Sequence, residues 1–251
     1  MIPHHVVTGP EDAPALVLSN SIGSTHAMWD AQTPALEQRF RLIRYDTRGH
    51  GASDVPPGPY AIEEIGGDVL ELLDHLAIER ASFAGLSLGG MTGMWLGVNA
   101  PARINSLALV CTTSQHGPPE MWRERAQQAR EQGTASLAEG TMARWFTDGF
   151  RGSHPDAVAR CQAMIENTPD EGYAGCCAVL ERANLTPELP RISAPTLVIA
   201  GAQDTSTPPD PHATKIRDGI PGARLHVFDP GAHMITVERP DEVTALLLEH
   251  F

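Results

Sequence analysis

Short runs rich in Val, Ile and Leu recur along this chain with helix-like stretches between them, and that alternation restricts the fold more than any other feature. The runs are Leu16 to Ser19, Leu42 to Asp46, Ser82 to Leu86, Leu107 to Cys111, Leu197 to Ala200 and Leu225 to Phe228. They are largely continuous in apolar residues, the pattern of strands buried on both faces of a mostly parallel sheet. Helical patterns occupy Ile62 to Ala77, Gly89 to Asn99 and Asp241 to Phe251. In the last, Val243, Leu246 and Leu247 share one face, which suits docking on a sheet. The fold class expected is α/β, a mostly parallel central sheet flanked by helices.

From about Ser114 to Pro190 the strand signal stops. Four helical stretches replace it: Glu120 to Glu131, Ala135 to Phe146, Asp156 to Ile165 and Asp170 to Ala183. An insertion at this point predicts a helical cap over the carboxyl edge of the sheet, where open α/β sheets hold their ligands. The expected organisation is a core made of residues 1–113 and 191–251, with the cap at 114–190. A length of 251 residues suits one core with an insertion better than two independent domains.

A formal charge of −13 argues against nucleic acid or an anionic membrane as partner, because both demand a basic surface. It also opposes any anionic substrate, which would need a local Arg or Lys inside the pocket. Met1 to Pro10 has no basic segment followed by an apolar run, and no stretch approaches the roughly 18 apolar residues of a membrane span. These features point to the cytoplasm. Cys111, Cys161, Cys176 and Cys177 lack metal-ligand spacing, and neighbouring cysteines bridge only with strain, so four reduced, mostly buried thiols are expected. The sequence leaves the oligomeric state open, a homo-oligomer included.

Chemistry concentrates at strand ends. Gly85-Leu86-Ser87-Leu88-Gly89 fits G-x-S-x-G, a permissive string that gains meaning from the strand before it and the helix after it. In that setting Ser87 occupies a sharp strand-to-helix turn, and Gly85, Gly89 and Gly90 are needed where the turn leaves no room for Cβ atoms. A serine hydroxyl is a poor nucleophile until a base takes its proton, and the base needs a partner to fix its tautomer. Asp204 follows the strand Leu197 to Ala200, and His233 follows the strand Leu225 to Phe228. Both therefore lie past carboxyl strand ends on the same edge as Ser87. Asp210 and Asp229 are weaker rivals for the acid. His50, His75, His116, His154, His212 and His250 are expected as solvated imidazoles. The oxyanion would be held by the backbone N–H of Leu88 and by one from Ser19-Asn20-Ser21-Ile22-Gly23-Ser24, with Ser21 preferred and Ile22 the alternative.

Along essentially its whole length the chain resembles the α/β-hydrolase superfamily, with the order Ser, Asp, His that such proteins share. Tyr45-Asp46-Thr47-Arg48-Gly49-His50-Gly51 is similar to the D-x-R-G-x-G loop, usually structural. Many members carry His-Gly at the oxyanion strand end, where this chain has Ser19-Asn20-Ser21-Ile22-Gly23. That run, together with Gly85 to Met91 and Arg144-Trp145-Phe146-Thr147, resembles the 3-oxoadipate enol-lactonases. The resemblance implies a small lactone bearing an acetate arm as substrate, a Ser87, His233, Asp204 triad, and neither metal nor organic cofactor. Arg144 is the expected anchor for the acetate and Trp145 an apolar wall. Adjacent helical residues point about 100° apart, however, so Arg144 could instead face solvent. The same machinery would also serve a carboxylesterase, a C–C bond hydrolase or a cofactor-free perhydrolase, and a low-turnover receptor could retain it.

Overall fold

The computed structural model describes residues 1–251. Seven strands form one sheet: β1 (His5–Thr8), β2 (Ala15–Ser19), β3 (Arg41–Tyr45), β4 (Ala81–Leu86), β5 (Ile104–Val110), β6 (Thr196–Gly201) and β7 (Arg224–Phe228). Their order is β1-β3-β2-β4-β5-β6-β7, with β1 antiparallel to β3 and every other pair parallel. The six strands expected from apolar runs are all present. β1 was not anticipated: four residues at the sheet edge, none fully buried, give no continuous apolar run.

Strand residues divide between two faces as the pleat requires. Val17, Ile43, Phe83, Leu107, Leu109 and Val198 pack into one apolar cluster with helices α2 (Ile62–His75) and α3 (Leu88–Asn99). Leu16, Leu18, Leu42, Ala84, Leu86, Val110, Leu197 and Ile199 pack into a second, closed by Val243 and Leu247 of α11 (Pro240–His250). Shorter helices are α1 (Thr33–Leu36), α9 (Thr214–Gly219) and α10 (Ile235–Glu238).

Five helices lie between β5 and β6: α4 (Pro119–Gln132), α5 (Ala138–Trp145), α6 (Asp148–Ser153), α7 (Pro155–Glu166) and α8 (Asp170–Arg182). The single helix expected over Ala135 to Phe146 is split into a 3₁₀ turn, Thr134–Leu137, followed by α5. α6 was missed because Gly149 and Gly152 weaken its helical pattern; Thr147 caps it by accepting the Phe150 N–H at 3.2 Å. α8 docks closely on the core, since a Cβ on Gly172 would lie 2.0 Å from the Gly49 carbonyl oxygen. All four cysteines are buried and unbridged. No helix is long and apolar enough to cross a membrane.

Candidate active site

Ser87 stands between β4 and α3 with φ 58° and ψ −113°, a left-handed conformation that costs a non-glycine residue about 1–3 kcal/mol. Hydrogen bonds on both sides hold it there. Its N–H donates to Val110 O at 2.9 Å, and its carbonyl accepts from the Thr112 hydroxyl at 2.6 Å and the Met91 N–H at 3.1 Å. The glycines are steric necessities, as expected. A Cβ on Gly85 would sit 2.1 Å from Gly89 O, one on Gly89 2.6 Å from Ser19 O, and one on Gly90 2.6 Å from the Thr112 Cβ.

Past β6 and β7, Asp204 and His233 meet. His233 Nδ1 lies 2.8 Å from Asp204 Oδ2, and both side chains are almost fully buried. The other carboxylate oxygen accepts backbone N–H bonds from Ser206 and Thr207 at 2.8 and 3.0 Å, and the Thr207 hydroxyl donates to Oδ2 at 2.8 Å. Burial opposes ionisation of Asp204, but His233 and these donors outweigh it and hold the carboxyl below its ordinary pKa. The His233 loop is fastened twice: Ala232 N–H donates to Glu238 Oε2 at 2.6 Å, and Met234 N–H to Trp145 O at 2.9 Å. Asp210 and Asp229 are exposed and lie outside this arrangement.

Ser21 and Ile22 follow β2 beside the elbow. Neither N–H has an intramolecular acceptor, and Leu88, the first residue of α3, has an N–H that no carbonyl of its own helix can reach. Asn20 clamps this loop, its carbonyl accepting the Gly89 N–H at 3.0 Å while its amide donates to Tyr45 O at 2.6 Å. His50 clamps the far end by accepting the Gly23 N–H on Nε2 at 2.9 Å. A protonated ring would lose that acceptor, and burial pushes the His50 pKa down to about 4. The expectation of a solvated imidazole is thus corrected for His50, which is wholly buried, and for His116, which is 9% exposed. His75 and His154 are exposed, whereas His212 and His250 are half-buried and bonded to Thr113 and Leu107 O.

Ser87 and His233 line a cavity of about 230 Å³ with Ser21, Ile22, Trp145 and Arg144. The solvent-facing alternative for Arg144 therefore does not hold. Arg125, which sequence reasoning missed, lines the same cavity. Its Nε donates to the Tyr173 hydroxyl at 2.5 Å and its Nη2 to Thr141 Oγ1 at 2.6 Å; Arg144 Nη2 reaches the same Thr141 oxygen at 3.1 Å. Neither guanidinium has an acidic partner. Burial and the neighbouring Arg125 charge lower the pKa of Arg144. Two like charges held together without a counter-ion make a ready site for an anion.

A model of the α/β hydrolase fold matches residues 14–240. The chain belongs to the α/β-hydrolase family. This hydrolase is 41% identical over 243 residues to 3-oxoadipate enol-lactonase 2 of Acinetobacter baylyi, covering 94% of this chain and 88% of that protein. Among solved structures, the enol-lactonase of Burkholderia xenovorans superposes with a TM-score of 0.96 at 41% identity, covering 98% of this chain and 95% of the other. A thermophilic esterase of Thermogutta terrifontis gives a TM-score of 0.92 at 29% identity, covering 98% and 91%.

Away from the cavity, His4, His26 and Asp46 bring three potential metal-ligand atoms within 4.8 Å of one another. Asp46 is already saturated. Its Oδ1 accepts from the His26 N–H and lies 2.8 Å from His26 Nδ1, while Oδ2 accepts from the Ala52 N–H and lies 3.2 Å from His4 Nδ1. These bonds secure the D-x-R-G-x-G loop, and Arg48 ties it to Asp68 of α2 at 2.6 and 2.7 Å.

Proposed function

We propose that this chain is a serine hydrolase that opens 3-oxoadipate enol-lactone to 3-oxoadipate, a step of the β-ketoadipate route of aromatic catabolism. One observation carries the reading beyond a generic hydrolase: the cavity lined by Ser87 and His233 also holds Arg125 and Arg144, two guanidiniums without acidic partners in a chain of net charge −13. Such a cavity selects a small acyl compound bearing a carboxylate, which suits the substrate named for the lactonase relatives.

In this mechanism His233 takes the Ser87 proton and the alkoxide attacks the lactone carbonyl. Asp204 fixes the tautomer of His233 and stabilises the imidazolium. The N–H groups of Leu88 and Ser21 receive the oxyanion, a contribution of about 3–4 kcal/mol per donor in comparable sites. Collapse breaks the ring C–O bond and releases an enol, whose conversion to the ketone makes the step hard to reverse. Water deprotonated by His233 then frees the acyl group from Ser87. Arg144, with Arg125 beside it, binds the acetate, and Trp145 walls the pocket. Residues 114–190 act as the cap that sets selectivity. The reading calls for no membrane or nucleic-acid partner and suits a cytoplasmic enzyme.

The test is steady-state loss of the ultraviolet absorbance of the enol-lactone with the wild-type protein. Turnover at about 1–1000 per second supports the proposal. Hydrolysis of simple aryl esters without opening of this lactone overturns the substrate and leaves a carboxylesterase.

A further inference from the structure

His116 lies in the segment that leads from β5 into α4, and its ring forms part of the cavity wall with Ser87 and His233. It is nine-tenths buried, yet neither ring nitrogen has a hydrogen-bond partner within the protein. Its one close aromatic neighbour is Trp122, which it meets edge-on at 5.0 Å between ring centroids. Buried imidazoles normally have partners, so a bare one on a cavity wall calls for a ligand. On the same wall, Ser21 Oγ and Trp122 Nε1 are fully buried without partners.

The role is narrowed by charge. Burial above all pushes the His116 pKa down to about 3, so the ring is neutral near pH 7. It is no anchor for a carboxylate, a task that Arg125 and Arg144 can perform. A neutral imidazole is instead a weakly acidic N–H donor, well matched to an enolate oxygen. We infer that His116 is a further catalytic residue, donating an N–H hydrogen bond to the ring oxygen of the substrate as that oxygen leaves as an enolate.

Each step balances. The acyl C–Oγ bond to Ser87 forms, the ring C–O bond breaks, and its electron pair passes to the leaving oxygen. His233 returns the proton it took from Ser87 to the enolate, while His116 keeps its own proton throughout. The inference rests on the enol-lactonase reading for its natural substrate, but it can be tested on any enol ester.

The experiment compares His116→Phe, which keeps an aromatic ring beside Trp122, with His116→Gln, which keeps an N–H donor. Each is assayed on the enol-lactone, on isopropenyl acetate, whose leaving group is an enolate, and on 4-nitrophenyl acetate, whose phenolate leaves with little help. The Phe variant is expected to lose on the order of 10²-fold in kcat/KM, which reports the acylation step, on both enol substrates, and far less on the aryl ester. The Gln variant should recover part of the loss. Equal losses on all three substrates, or none, overturn the inference. If the wild type hydrolyses isopropenyl acetate but not the enol-lactone, the proposed substrate fails, while the His116 comparison still decides the role of the imidazole.

Discussion

The Asp204 carboxylate and the Ser87 backbone are fully partnered, whereas the helices between β5 and β6 leave polar groups at the cavity without partners, as the loop after β2 does with Asn20 Oδ1 and Ser21 Oγ. At the strand ends, Asp204 has four donors around it, Asn20 has one bond to each neighbouring element, and the Ser87 backbone is held from both sides. In the helices between β5 and β6, Arg125 and Arg144 point two unpaired charges at the cavity, and Trp122 leaves its indole N–H without an acceptor. The contrast separates two tasks. Reacting groups must be held in place before substrate arrives, whereas recognition groups gain their partners from it.

The most severe disturbance should come from a single methyl group at the elbow. Gly85→Ala places a Cβ 2.1 Å from Gly89 O, backbone against backbone with nothing flexible to yield. A loss above about 4 kcal/mol is expected, read as a failure to fold or a collapse of the urea midpoint. Near-normal stability would show that the elbow is less constrained than its contacts imply.

Arg144→Ala tests the recognition half. The prediction is a rise in KM of about 10- to 100-fold for the acetate-bearing lactone, as for truncating one side of a desolvated charge pair. The methyl ester of the same acetate should be little affected. An unchanged KM for the anion removes Arg144 from recognition. Arg125→Ala should act in the same direction.

A smaller effect belongs to His50, which joins the D-x-R-G-x-G loop to the oxyanion loop. Its pKa of about 4 when folded lies below the ordinary 6.5, so the unfolded chain binds the proton first as pH falls. Native stability is full above about pH 6.5 and declines toward pH 4, at up to roughly 1.4 kcal/mol per pH unit from this group. His50→Gln keeps an acceptor for the Gly23 N–H but does not titrate. Urea unfolding at pH 7 and 5 should show a shallower loss in the variant; equal slopes would contradict the buried, neutral ring.

These regions also differ in how far they could be read from sequence. Ser87, Asp204 and His233 are set by local rules: a strand, a turn that only glycine tolerates, and the edge on which parallel strands end. The Ser19 to Ser24 run could be placed at the end of β2 for the same reason, and the Ser21 and Ile22 N–H groups there both lack acceptors. Arg125 and His116 were not legible. Which face of α4 turns inward depends on its packing against α8, and a loop histidine shows its burial only when the chain closes over it. Arg144 fell between these cases, since its helix was clear and its direction was not. The edge strand β1 escaped because half-exposed residues leave no apolar signature.

The central claim is that one strand-end constellation performs the chemistry for whatever the helices admit. It is tested most directly by assaying Ser87→Ala beside the wild type on both the enol-lactone and a small aryl ester, with circular dichroism to confirm that the variant folds. The account predicts that both activities fall together, by on the order of 10⁴-fold or more. A folded variant that still opens the lactone at the wild-type rate would contradict it.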